Sequence, residues 1–335
     1  MNPPPFATHW ARELGAKEES LIQLKGGINN RVYRCGGGNT QWVIKGYLAA
    51  EEGQRDRMKA EVECLTYAAE VAPQYVPRLI HVDPEYRCVV IEHIDGTAYI
   101  EDEAPSLDAI RSAVDFFRLL NSAGKVEKQH IQLDAAESFL RLTDHIENVR
   151  ERLSKMSTDH LPQEAKKQAV ELLRWVQDAA DRVSRLVAES ITNGTVANSI
   201  YPEQRCISPS DFGFHNAIRT KSGVKFFDFE FAGWDDPAKA ASDFVLQPKV
   251  PVRLHTSPLL TVFNDDTSGE ISLRCAVLGP MLRLKWACIM LSVLQVERLD
   301  KLLTAHPDTD LNVLMHQRLK RAAAYVREEI PFGLH

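Results

Sequence analysis

Cys206-Ile207-Ser208-Pro209-Ser210-Asp211-Phe212-Gly213-Phe214-His215-Asn216, followed by Val224-Lys225-Phe226-Phe227-Asp228-Phe229-Glu230, is the stretch on which the reading of this chain turns. An Asp precedes an Asn by five positions, and a second Asp closes a short apolar run further on. Phosphoryl transfer from a nucleotide requires such a trio. One carboxylate orients the attacking hydroxyl and accepts its proton, while an amide oxygen and a second carboxylate hold Mg²⁺ against the triphosphate. Asp211 is the candidate base, and Asn216 and Asp228 are the candidate metal ligands. An Asp and an Asn at this spacing arise by chance in polar loops. The strand that ends in Asp228 gives the pattern its weight.

Outward from that stretch, the bulk composition narrows the class. The chain has 335 residues, 44% apolar and 26% charged, as a soluble globular protein would. That length predicts about two lobes, each with enough apolar content for a core. A net charge of −6 argues against a broad nucleic-acid-binding face but leaves room for a nucleotide, which a few local donors can hold. Six cysteines are scattered without a C-x-x-C pair, and several lie in apolar segments as small hydrophobes. No basic-then-apolar leader opens the sequence, and the longest apolar run, Trp286 to Leu291, is far too short for a bilayer. The expectation is a cytoplasmic protein with no membrane and no nucleic-acid partner.

Upstream, Phe6, Trp10 and Leu14 recur every four residues and predict an amphipathic helix docked on the first lobe. Leu21 to Leu24 and Val32 onward read as strands around Lys25-Gly26-Gly27-Ile28-Asn29-Asn30, a turn rich in residues that tolerate positive φ. Such a turn is a plain hairpin or a flap over phosphates. Gln41 to Tyr47 is a third strand, and Lys45 on it either snorkels at a sheet rim or projects into a cleft. Arg57 to Val71 is helical, with Glu61 on the same side as Leu65 and Ala68, so Glu61 rather than Glu63 is placed to face Lys45. Arg87 to Ile94 is a buried strand closed by Asp95-Gly96, where a sheet lobe (1–95) hands over to a helical one (96–335). The backbone of Glu92 and Ile94 is then available to an adenine edge.

From Ala104 to Ser190 the periodicity is helical, interrupted at Gly124 and Pro162, and 191–204 is a loop. Past Asp228, Ala238 to Phe244 starts a helix in which Asp243 is expected to tie down a loop. Helices also cover Leu273 to Glu297 and Leu311 to Arg327. The clusters Glu101-Asp102-Glu103 and Asn264-Asp265-Asp266 read as solvated surface.

With these residues in line, the chain resembles the aminoglycoside phosphotransferase and choline kinase family from about residue 20 to 325. Gly26-Gly27-Ile28-Asn29-Asn30-Arg31-Val32-Tyr33 is similar to that family's glycine-rich segment, Lys45 to its phosphate-holding lysine, Glu61 to its helix glutamate, and Phe227-Asp228-Phe229-Glu230 to its I-D-x-E motif. The family's catalytic loop reads H-G-D-x-x-x-x-N; here Pro209 and Ser210 stand where the His and Gly would be. The resemblance implies an α+β fold of the bilobal protein-kinase-like kind, a small antiparallel sheet lobe followed by a larger helical one. It also implies nucleotide contacts from Gly26, Gly27, Asn29, Asn30, Lys45, Glu61, Glu92 and Ile94, with ATP and Mg²⁺ as cofactors. The expected activity is transfer of the γ-phosphate to a hydroxyl of a small molecule: a sugar, an amino-alcohol or an aminoglycoside-like compound. The replacements at 209 and 210 leave a second expectation, a nucleotide-binding regulator of the same fold with little turnover.

Overall fold

The computed structural model describes residues 3–24, 30–37, 40–50, 53–122, 130–252, 269–305 and 310–327. The chain forms two compact units. The first holds Met1–Glu137 and Cys206–Asp235, and the second Ser138–Arg205 and Asp236–His335. The lobe boundary expected at residue 95 falls inside the first of them.

The first unit begins with helix α1 (Pro5–Glu13) and an antiparallel sheet of β1 (Ile22–Gln23), β2 (Asn30–Gly37), β3 (Thr40–Tyr47), β4 (Leu79–Asp83) and β5 (Cys88–Glu92), in the order β1-β2-β3-β5-β4. Alternation along β3 sends Ile44 to one face and Lys45 to the other. Ile44 joins Cys35, Cys88, Val90, Ala11 and Ala16 in a core that Phe6, Trp10 and Leu14 cover, so α1 docks as its periodicity predicts. Gly46 permits this docking: a Cβ there would lie 2.4 Å from Cζ of Phe6. The Trp10 indole N–H also donates to Asp83 Oδ2 at 2.9 Å. Helix α2 (Arg57–Val71), capped by the Asp56 side chain accepting from the Lys59 N–H, packs on β4 and β5.

The return segment, residues 206–235, is built on aromatics. β7 (Cys206–Ser208) pairs with β10 (Gly233–Asp235), and β8 (Ala217–Thr220) with β9 (Gly223–Phe226) on one side and β6 (Thr97–Ala98) on the other. Gly96 allows β6 to come this close, since a Cβ there would sit 2.1 Å from the Arg219 carbonyl oxygen. Phe116 of helix α3 (Leu107–Ser122) stacks on Phe226 at 5.2 Å and meets Phe212 and Phe229 at 5.9 and 6.1 Å. The same helix supplies Asn121, whose amide oxygen accepts from the Ile207 N–H (2.8 Å) while its amide nitrogen donates to the Ile207 carbonyl (3.0 Å). One side chain thus does for β7 what a neighbouring strand would do.

The second unit is helical: α4 (Leu142–Ser154), α5 (Gln163–Thr192), α6 (Pro237–Leu246), α7 (Glu270–Met290), α8 (Val296–Ala305) and α9 (Leu311–Arg327). Helix α5 starts directly after Pro162, and α9 spans the range predicted from sequence. The helical pattern from 104 to 190 breaks between α3 and α4, where residues 131–141 are irregular, and again at Pro162 before α5. One expectation needs correcting. Asp243 ties helices rather than a loop: Lys285 donates to its two oxygens at 2.7 and 2.8 Å, the Trp286 indole at 2.9 Å, and Lys239 lies 3.4 Å away. Glu270–Leu294 is long and apolar enough to cross a bilayer by composition, yet 72% of its most apolar window is buried, against α4, α5, α6 and α9. It is the central helix of this unit.

Candidate active site

Each side chain that chemistry would need comes from the first unit. Lys45 sits on the α2 face of β3, 4% exposed, and its ammonium donates to Glu61 and to Asp228. Glu230 is the third carboxylate, 3.9 Å from the same nitrogen. Burial opposes the Lys45 charge, but Glu61, Asp228 and Glu230 more than offset it and hold its pKa above the ordinary lysine value. Burial pushes the Glu61 carboxyl up; Lys45 pulls it down and Asp228 adds to the rise. Glu230 is likewise raised, first by burial. Glu63 lies apart from this cluster, where it accepts from the Gln132 N–H at 3.0 Å.

The loop after β7 carries the second half of the site. Phe212 and Phe214 point into the aromatic core, 5% and 0% exposed, whereas the Asp211 side chain beside them is 33% exposed. Ser210 takes a left-handed φ of 64°, a conformation that favours glycine, and so occupies the motif's glycine position in a glycine's conformation. Its N–H is held by the Ser208 hydroxyl at 3.0 Å. The Asn216 amide donates to the Asp211 carbonyl at 3.1 Å and lies 3.4 Å from Asp211 Oδ2. The Asn216 carbonyl accepts from the Phe227 N–H at 3.0 Å, which brings the segment ahead of Asp228 beside the loop. Asp228 follows with φ 69°, a turn that aims its carboxylate at Lys45. A continuous path therefore runs Asp211, Asn216, Phe227, Asp228, Lys45, Glu61. The outer carboxylates Asp211 and Asp228 are 33% and 32% exposed, open to a ligand, whereas Glu61 is sealed at 1%.

Asn30 begins β2 with its side chain turned inward, donating to Glu230 Oε2 at 2.8 Å. Gly26, Gly27 and Asn29 lie outside the described residues. Glu92 ends β5; its N–H donates to the Arg78 carbonyl (2.9 Å) and its carboxylate lies 3.7 Å from Lys225. Ile94 follows in the non-strand link toward β6. Sequence reasoning passed over three groups. Tyr47 donates to Glu61 Oε2 at 2.7 Å, Glu230 anchors Asn30, and His215 lies 3.0 Å from Asp211. Glu230 was visible as the last position of the I-D-x-E resemblance. Tyr47 carried a fainter signal, two residues past Lys45 and so on the same strand face.

This set of side chains on this sheet defines a phosphotransferase with a kinase-like fold. The chain belongs to the phosphotransferase enzyme family, whose sequence pattern matches residues 20–240. It is a small-molecule kinase by that membership. Among curated proteins no sequence matches it. Solved structures share the fold along nearly the whole chain. A choline/ethanolamine kinase family protein from Mesorhizobium loti aligns with a TM-score of 0.55 at 19% identity, covering 96% of this chain and 95% of that one. Choline kinase from Cryptosporidium parvum gives 0.57 at 12%, covering 95% and 94%. Spectinomycin phosphotransferase in complex with ADP and spectinomycin gives 0.55 at 12%, covering 92% and 93%. At such identities the likeness speaks to fold.

Proposed function

We propose that this chain transfers the γ-phosphoryl group of ATP to a hydroxyl of a small molecule in a Mg²⁺-dependent reaction. The observation that carries this reading is the connected path from Asp211 to Glu61, with its two outer carboxylates exposed and its lysine anchored. Asp211 would accept the hydroxyl proton, since it is the partly exposed carboxylate of the loop and Asn216 fixes the backbone beneath it. Lys45, set by Glu61 and Tyr47, would turn its charge from Asp228 to the α- and β-phosphates. Asn30 and the segment before it would steady the nucleotide from the sheet edge, with the Glu92–Ile94 backbone at the base.

The donor set fits a hard divalent cation. Asp228, 32% exposed, and Asn216 offer carboxylate and amide oxygens, the donors such an ion takes. Bound there, Mg²⁺ would neutralise phosphate charge; Asp228 and Asn216 would hold it. The solved relatives support a nucleotide as the donor, for spectinomycin phosphotransferase holds ADP and amicoumacin kinase was crystallised with AMP-PNP and Ca²⁺. Their acceptors differ, so the acceptor here is best described as a hydroxyl compound, with a sugar-like metabolite preferred over an antibiotic. The six cysteines are free and buried, which suits a reducing cytoplasm. The alternative of a turnover-poor regulator rested on Pro209 and Ser210, and the intact loop geometry around Asn216 speaks for the enzyme.

The test is ATP consumption over a panel of choline, ethanolamine, hexoses, amino-sugars and spectinomycin. Asp211→Asn should abolish transfer while retaining nucleotide binding, and Asp228→Ala should remove both transfer and Mg²⁺-dependent binding. Full activity in both variants, or wild-type nucleotide binding without turnover of any acceptor, would sink the reading.

A further inference from the structure

We infer that His215 is a positioning residue for the Asp211 carboxylate, a role that rests on the phosphotransferase reading above. Pro209 itself offers the loop no hydrogen-bond donor on its upstream limb. On the downstream limb the short turn Phe214–Asn216 folds back, and it brings His215 Nε2 to 3.0 Å from Asp211 Oδ1. A carboxylate only accepts, so the contact selects the ring forms in which Nε2 carries the hydrogen.

Two features show that the ring is committed to this contact. Its side chain is 9% exposed, so it is packed rather than swinging in solvent. Among the described residues its other nitrogen, Nδ1, is buried with no hydrogen-bond partner. An unmade bond at a buried nitrogen is unfavourable, and a histidine kept for packing alone would be better replaced by an apolar ring. The single polar contact this imidazole makes among the described residues is with the proposed base. The neighbours explain how it is held: Phe214 is fully buried, 5.0 Å from Tyr99 and 6.1 Å from Phe226, and it pins the turn from which His215 projects.

The consequence is a base with two distinguishable oxygens. Oδ1 receives the imidazole N–H, and Oδ2 faces the Asn216 amide at 3.4 Å. Between them these donors fix the rotamer of Asp211, hence the direction from which it can take a hydroxyl proton. Geometry of this kind acts on the chemical step and leaves nucleotide binding alone, because among the described residues no hydrogen bond or ion pair joins the ring to Lys45 or Asp228.

Steady-state kinetics with Mg·ATP, using whichever panel acceptor the wild type turns over fastest, tests this. His215→Phe keeps a ring of similar volume and removes the donor. It should lower kcat by about 10- to 100-fold, the scale of a base displaced by an ångström or less, with KM for ATP and the melting temperature nearly unchanged. His215→Gln places an amide nitrogen near the position of Nε2 and should recover most of kcat. That rescue is the readout a purely structural role would not produce. If the Phe variant does not fold, His215→Met carries the same comparison. A donor-less variant with wild-type kcat, a Gln variant no better than it, or a loss confined to KM for ATP overturns the proposal. An inactive wild type overturns it together with the phosphotransferase reading, whereas an active wild type with an active Phe variant overturns it alone.

Discussion

Replacing Glu61 with Gln should damage activity and leave stability almost untouched, against the usual behaviour of a buried ion pair. Removing one member of such a pair normally strands the other and costs about 3–5 kcal/mol. Here the stranded cation keeps company: Lys45 still has Asp228, with Glu230 at 3.9 Å. The cluster sets one cation against three carboxylates, so it carries surplus negative charge. Burial and Asp228 hold the Glu61 carboxyl above its ordinary value despite Lys45, so its charge is held at a cost in the fold. Substitution therefore loses a charge-assisted hydrogen bond, about 1.5–3 kcal/mol, and relieves part of the repulsion among the three carboxylates. The glutamine oxygen can also still accept from Tyr47. A net change of about 1 kcal/mol follows, a melting shift of about 2–4 °C. In contrast, Lys45 loses the tether on its far side and leans to Asp228, so kcat/KM for ATP should fall by about 10- to 100-fold. Thermal melts and ATP kinetics on one preparation separate the two effects. A melting temperature lower by about 10 °C, the equivalent of a stranded charge, would refute the compensation by Asp228 and Glu230, and unchanged kcat/KM would refute the tether.

Three more outcomes are expected. Burial first, then the charges of Lys239 and Lys285, push His145 down to about 3, so it stays neutral in the fold while the unfolded chain takes up a proton below about 6.5. Stability should therefore drain away as pH falls from about 6.5 toward 3, by on the order of 5 kcal/mol at the bottom of that window. His145→Gln should flatten this slope in urea melts across the range, and parallel losses in both proteins would count against it. Ser210→Gly should raise the melting temperature slightly, because relief of the left-handed φ (about 1 kcal/mol) exceeds by a little the entropy glycine adds to the unfolded chain; a drop of several degrees would show that the serine hydroxyl carries more than its conformation. Gly96→Ala puts a Cβ 2.1 Å from the Arg219 carbonyl, so β6 must part from β8. A loss of about 1–3 kcal/mol in chemical denaturation is expected, and a neutral result would mean that the link there gives way freely.

The legible parts of this chain were those fixed by local period. Phe6, Trp10 and Leu14 announced α1, and the phase of α2 chose Glu61 over Glu63, because a helix offers one face to a sheet and these residues repeat on it. The nearness of Asp211 and Asn216 was legible as spacing, since five positions of one loop keep the two side chains within reach of each other. Partners distant in sequence were not. Asp243 was expected to hold a loop, yet its lysine lies 42 residues on, in a helix whose own period says nothing about α6. His215 was hidden for a subtler reason. An i,i+4 contact suggests a helix, and this one is made across a single short turn between two strands. The aromatic cage escaped notice too, since Phe212, Phe214, Phe226 and Phe229 look like two separate apolar runs until Phe116 joins them.

The first unit is discontinuous, closed by residues 206–235 after the chain has been away building helices. During synthesis, then, Lys45 and Glu61 leave the ribosome long before Asp228 is made. Over that interval the nascent sheet holds a half-finished salt cluster, and the aromatic cage lacks most of its rings. A message truncated anywhere between codons 138 and 205 would yield the five-stranded sheet without a single carboxylate from the return segment. Such a fragment should be a client for chaperones rather than a weak enzyme.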